Sequence, residues 1–286
     1  MPARSGRRPR AAPRRGAAAG SGGSACGRTP RVPRPAGRTA RPDRLFDDPF
    51  AATLAGDVGR ALAARMDSGD VIGVRTRFED DRVRAAADAG ITQIVLPAAG
   101  MDTRAWRLGL PARCTVFELD RPALLELKAG LLGTAAPVPV PRRVPVPVDL
   151  TADWPADLRA AGFDPGRPAC WVVEGLVQYL PEPAVHELLD AVTALSAPGS
   201  HLIIDVVGAG LLASARARPI LDAMTAAGSP WLFGTDDPGA LLTARGWDCE
   251  VHLLGAVAVA LGREAGSVAR DDGRDDDRGY LVHATR

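Results

Sequence analysis

The chain has 286 residues, 46% of them hydrophobic, and a formal net charge of +1. That is enough for one large α/β domain with an extension, and a charge so small argues against a global field drawing the protein onto nucleic acid. No apolar run approaches the ~20 residues that span a bilayer. The four cysteines (Cys26, Cys114, Cys170, Cys249) are far apart without paired spacing, which argues against zinc or a disulfide framework and fits a reducing cytoplasm.

Residues 1–40 are rich in Arg, Pro, Gly and Ser and nearly devoid of large apolar side chains. Such a stretch cannot bury enough surface to offset its ordering entropy, so it is expected to be disordered. The 1–43 tail is therefore set apart from a folded domain over 44–286. With no apolar core to the segment, a signal peptide is excluded. A nucleic-acid arm and a transit peptide are compatible with the composition, and a dispensable tail is the preferred reading.

Asp48 before Pro49 marks a helix entry, and Leu54, Val58 and Leu62 predict a helix over 51–65. A second helix is expected over 71–90, with Val74, Phe78 and Val83 on one face and with Arg75 and Arg77, which spacing alone would leave solvated. These helices over 44–90 form an N-terminal extension. Strand one spans 91–96 and runs into Pro97-Ala98-Ala99-Gly100, small enough for close backbone approach to a ligand. Asp102 and Thr103 cap a short helix to residue 108. Strand two spans 114–119 and ends in Glu118-Leu119-Asp120, followed by a helix over 123–132. Strand three, 144–148, contains Pro145 and Pro147, which suggest an edge or a distorted ladder. A short helix over 157–161, strand four over 170–173, a helix over 183–195 and strand five over 201–207 follow. A helical insertion over 208–232, a helix over 238–245, a charged loop over 270–278 and strands over 247–254 and 279–284 complete the chain. Alternating strands and helices with a closing strand pair predict a doubly wound, mostly parallel sheet ending in an antiparallel strand.

Ligands of open α/β sheets bind beyond the carboxyl ends of the strands. The acids expected at that edge are Asp102, Glu118, Asp120, Asp149 and Glu174, with no lysine among them. A crevice of that sign suits a cationic, hydroxyl-rich ligand, and S-adenosylmethionine fits. A dinucleotide fits less well. Its diphosphate wants a three-glycine loop opening a long helix, whereas here there is one glycine, a short helix and Asp102 close by. Each acid could also be a turn or capping residue. The scattered histidines (His186, His201, His252, His283) point to no catalytic role, and there is no nucleophile elbow.

The stretches LPAAGMDTRAWRL, VFELDRP, VPVDL, EGLVQYLP and GYLV resemble a bacterial family of S-adenosylmethionine-dependent methyltransferases related to leucine carboxyl methyltransferase. The resemblance runs from Arg44 to the C-terminus and implies a seven-stranded, Rossmann-like class I methyltransferase fold with a helical lid at 208–232. It further implies that Arg75, with Arg77 as fallback, holds the cofactor carboxylate, that the Ala98–Gly100 loop passes under the methionine, and that Asp120 takes the ribose hydroxyls. Asp149 and Leu150 would meet the adenine, and Glu174 would lie near the sulfonium or amino group. Ala98 departs from the family's usual Gly-x-Gly, so its methyl group is expected to narrow the approach. No metal is implied.

The expected activity is O-methylation of a small-molecule carboxylate or hydroxyl in the cytoplasm, with neither nucleic acid nor membrane as partner. Glu174, Gln178 and Tyr179 are candidates to face the acceptor. The alternatives are a nicotinamide-dependent oxidoreductase and a non-catalytic protein that keeps the cofactor fold.

Overall fold

The computed structural model describes residues 43–56, 70–133, 136–137, 139–263 and 278–286. The tail, the second half of the helix expected over 51–65 and most of the charged loop over 270–278 lie outside them. The helix expected over 71–90 is α1 (Val71–Asp88), and it buries Val74, Phe78, Val83, Ala86 and Ala87. Gly90, at φ +104°, carries the chain out of it, a conformation open chiefly to glycine.

Seven strands form one sheet: β1 (Gln93–Pro97), β2 (Thr115–Asp120), β3 (Arg142–Pro147), β4 (Ala169–Val173), β5 (His201–Val207), β6 (Asp248–Leu253) and β7 (Gly279–Thr285). Their order is β3-β2-β1-β4-β5-β7-β6. Strands β1 to β5 pair in parallel, and β7 runs antiparallel to both β5 and β6. The antiparallel strand is thus not terminal, as the sequence suggested, but sits between β5 and β6. Strand β3 is the edge that Pro145 and Pro147 predicted. Both prolines are exposed, while Val146 and Val148 are buried.

Alternate side chains feed two cores, one on each face of the sheet. Val95, Phe117, Leu119, Trp171 and Val173 pack on one side, and Ile94, Leu96, Val116, Cys170 and Val172 pack against α1 on the other. Burial on both faces is why these strands read as continuous apolar runs rather than alternating ones.

The helices between strands are α2 (Arg104–Arg107), α3 (Pro122–Leu132), α4 (Trp154–Ala160), α5 (Glu182–Ala194), α6 (Ala209–Ala213), α7 (Arg218–Ala226), α8 (Pro238–Thr243) and α9 (Leu254–Ala260). Helix α9 was not foreseen, because LGAVAVA follows β6 without a break and carries no polar face to give a helical period. No helix of the described residues is long and apolar enough to cross a membrane.

Candidate functional site

Strands β1, β2, β4 and β5 end side by side, with Asp102 just beyond β1, Asp120 closing β2 and Glu174 just beyond β4. The loop after β1 is stitched to β2. The Ala99 N–H donates to the Leu119 carbonyl at 2.9 Å, and the Gly100 N–H donates to Asp120 Oδ2 at 2.6 Å. The other Asp120 oxygen accepts from the Arg121 N–H at 2.8 Å. The loop can turn this tightly only by entering the left-handed region, at Ala98 (φ +52°) and Gly100 (φ +50°). For Ala98 that conformation costs on the order of 1 kcal/mol that a glycine would not incur.

Asp102 accepts from the Arg104 N–H at 2.6 Å, an Asx turn that starts α2. Thr103 makes no capping bond, and its hydroxyl donates instead to Asp48 at 2.8 Å.

Across the edge, Arg75 of α1 reaches Asp205 of β5 at 2.9 Å and Glu174, just past β4, at 3.2 Å. The Gly175 N–H also donates to Asp205. Gly175 has φ +58°, and a Cβ there would lie 3.3 Å from the Arg75 guanidinium, so both backbone and space call for glycine. Burial alone would lower the Arg75 pKa, but Asp205, Glu174 and Glu79 more than reverse it and hold the group above its ordinary value. Its Nε is buried without a hydrogen-bond partner.

Arg104 is buried to 1% exposure and joins Glu79 at 2.7 Å, Asp80 at 2.8 Å, Asp102 and, at 2.8 Å, Glu174. Burial would lower its pKa, yet these carboxylates raise it well above the ordinary value. Glu79 moves the other way. Burial, and then the charge of Glu174, push its pKa well up, and its Oε1 is buried without a partner. Asp80 also binds Arg107.

Not every predicted residue belongs here. Glu118 is wholly buried rather than at the edge, and its Oε2 accepts from Lys128 and Arg143, both at 2.7 Å. The expectation that no lysine joins these acids therefore fails, because the chain's single lysine neutralises one of them from α3. The picture of bare acids fails with it, since Asp102 and Glu174 are also ion-paired. The repulsion expected between Asp102 and a diphosphate loses its force for the same reason, while the four-residue α2 still offers no long helix for one. Arg77 points away and pairs with Asp81 at 2.7 Å.

Asp149 is exposed, and the Thr151 N–H and hydroxyl hold its pKa below the ordinary value. Leu150 packs against the core beside it.

On the far side of β4, Gln178 is buried, and its backbone carbonyl accepts from the Leu232 N–H at 2.6 Å and the Phe233 N–H at 3.3 Å. Its side-chain Oε1 is buried without a partner, as is Trp231 Nε1. Tyr179 meets the Trp231 ring edge-on at 6.4 Å. The insertion is anchored where Gly234 packs on the end of β5, since a Cβ there would lie 2.8 Å from the Gly208 carbonyl.

Two residues that sequence reasoning missed, Arg104 and Asp205, carry much of this network. A signal for the first was present: Arg75, Glu79 and Val83 are spaced four apart on α1, so Glu79 shares the buried face and needs a cation. The histidines are less scattered than expected. His201 and His283 stack at 5.2 Å, and His252 approaches Arg82 at 3.4 Å. His201 opens β5, at the end of that strand away from Glu174, while His283 pairs with Ile203 in mid-strand. No cluster among the described residues could hold a metal ion.

Residues 34–193 match the leucine carboxyl methyltransferase family, and these are more than half of the chain. A candidate S-adenosyl-L-methionine-dependent methyltransferase of Mycolicibacterium vanbaalenii is 44% identical over 186 residues, covering 58% of this chain and 61% of that protein. The chain thus spans about three fifths of that relative's length. A like-named protein of Mycolicibacterium gilvum is 40% identical over 238 residues, 76% of each chain. Among solved structures, a candidate methyltransferase from Thermobifida fusca superposes with a TM-score of 0.57 at 18% identity, covering 85% of this chain and 94% of that one. A protein from Streptomyces avermitilis gives 0.59 at 19%, covering 86% and 97%. The fold is that of the class I methyltransferases, and the chain belongs to the leucine carboxyl methyltransferase family.

Proposed function

We propose that this member of the leucine carboxyl methyltransferase family is an S-adenosylmethionine-dependent methyltransferase acting on oxygen, either a carboxylate or a hydroxyl of a small molecule. The observation that carries the reading is the meeting of Arg75 and Glu174 beside the β1 loop. A guanidinium with a buried, unpartnered Nε next to a carboxylate complements an amino-acid zwitterion, which the methionine end of the cofactor is. This pairing replaces the bare acidic rim as the reason for the ligand.

Arg75 would hold the carboxylate and Glu174 the amino group. Ala98, Gly100 and Asp102 would shape the floor of the site. Asp120 would accept from the ribose hydroxyls, since each of its oxygens spends one lone pair on a backbone N–H and has another to offer. Asp149 and Leu150 would flank the adenine. Glu118 is left out, its charge being spent on Lys128 and Arg143.

When bound, the cofactor supplies a methyl group on a sulfonium. The chain's part is to align an acceptor oxygen with that methyl and to exclude water. The segment over 208–232, tied through the Leu232 N–H to the Gln178 carbonyl, would serve as the lid. Gln178 Oε1, Trp231 Nε1 and the Tyr179 ring would face the acceptor on that side. A carboxylate would need no base, whereas a hydroxyl would. The test is incubation with methyl-labelled S-adenosylmethionine and a panel of small carboxylic acids, alcohols, phenols and amines. Label on oxygen acceptors is the expected result, and label on amines alone would refute the oxygen assignment.

A further inference from the structure

We propose that Arg104 is a positioning residue that sets the carboxylate of Glu174 for the cofactor's amino group. The inference rests on the function proposed above and assigns to Arg104 a role that neither motif nor spacing gave it. Glu174 is gripped on both oxygens. Oε1 accepts from Arg75 at 3.2 Å and Oε2 from Arg104 at 2.8 Å. Arg75 keeps 20% of its side-chain surface exposed, whereas Arg104 keeps 1%. The exposed cation is the one that can turn to a ligand, and the buried one is fixed from behind. Glu79 holds its Nη2, Asp80 its Nε and Asp102 its Nη1.

These partners come from α1 and the β1 loop, so Arg104 locks Glu174 to both elements between which a ligand would lie. Only a planar fork of five donors can meet carboxylates in so many directions at once, and a lysine ammonium cannot. Without the guanidinium, Glu174 would lose one of its two arginine partners, and Glu79 and Asp102 the cation that joins them to it.

Three roles make different predictions for Arg104→Lys, measured by titration calorimetry beside the melting temperature. Positioning predicts at least a ten-fold weaker Kd for S-adenosylmethionine and an equal loss for S-adenosylhomocysteine, because both carry the amino group. It also predicts that Glu174→Gln costs about the same and that the double variant loses little more than either single one. A role as mere distant charge would leave both Kd values and the melting temperature as they were, because lysine keeps the positive charge. A purely structural role would lower the melting temperature and leave both Kd values unchanged. Either of the last two results, or additive losses in the double variant, would overturn the proposal. Should Arg104→Lys not fold, Asp80→Asn loosens the guanidinium at Nε. A parallel loss of at least three-fold for both ligands is then expected, and unchanged affinities would count against positioning. A wild-type protein that binds neither ligand would refute the proposed function itself, whereas wild-type binding matched by the variants refutes only the role of Arg104.

Discussion

Two groups of buried acids and cations stand a short distance apart in this sheet and are built in opposite ways. Glu118, Lys128 and Arg143 come from β2, the helix after it and β3, neighbours in the chain, and both cations lie over the ring of Trp106. Arg75 and Arg104 instead gather acids from α1, the β1 loop and the ends of β4 and β5. The first group ties adjacent elements and belongs to the packing. The second joins distant ones where the strands end, and it includes a partly exposed guanidinium. Proximity of an acid to a strand terminus does not by itself make it a ligand contact. What distinguishes the two is which elements the partners come from.

The sharpest way to break this distinction is Glu118→Ala. It strips a buried lysine of its partner and should destabilise by about 3–5 kcal/mol, read as a lower urea midpoint. The folded fraction should still bind S-adenosylmethionine within two-fold. A large affinity loss without destabilisation would place Glu118 at the site after all. Asp120→Ala should do the reverse, weakening cofactor binding roughly 10- to 100-fold, as expected for losing hydrogen bonds to a charged group. An unchanged dissociation constant would remove Asp120 from the site.

Gly175→Ala is smaller. The left-handed backbone costs about 1–2 kcal/mol for a residue with a Cβ, and the methyl group crowds Arg75, so affinity and stability should fall together. Ala98→Gly should act oppositely and raise stability by up to about 1 kcal/mol, relief of strain being partly offset by unfolded-chain entropy. A lowered melting temperature would show that Ala98 is not strained.

The smallest effect concerns the histidines of β5 and β7. Burial lowers the pKa of His201 and His283, and for His283 the nearby His201, Arg82 and His252 add to this against Glu250. The unfolded chain then takes up protons first. The stabilising contribution is whole above the ordinary histidine value of ~6.5 and is lost as pH falls below it towards the folded values. The melting temperature should drop modestly from pH 7.5 to 5.5, and His283→Gln should flatten that slope. A drop that persists unchanged in His283→Gln would put its source elsewhere.

The fold was largely legible because most of the strands are short apolar runs closed by turn signals, and because Pro145 and Pro147 favoured an edge. The place of β7 between β5 and β6 was not, since pairing order is a tertiary property. At the site, local sequence marked the β1 loop, Asp120 and Glu174 by their position at strand ends. Charge bookkeeping failed there: Lys128 sits ten residues from Glu118 but reaches it only through the α3 crossover, and Asp205 is one acid inside an otherwise apolar strand. Arg104 stood in a quoted motif, yet four residues of helix show no period that would mark its side as buried.

The measurement that bears most directly on the whole account is titration calorimetry of the wild-type chain with S-adenosylmethionine, S-adenosylhomocysteine and NAD. Saturable binding of both adenosyl ligands, with no heat from NAD, is the expected result. Binding of NAD without either adenosyl ligand would contradict it.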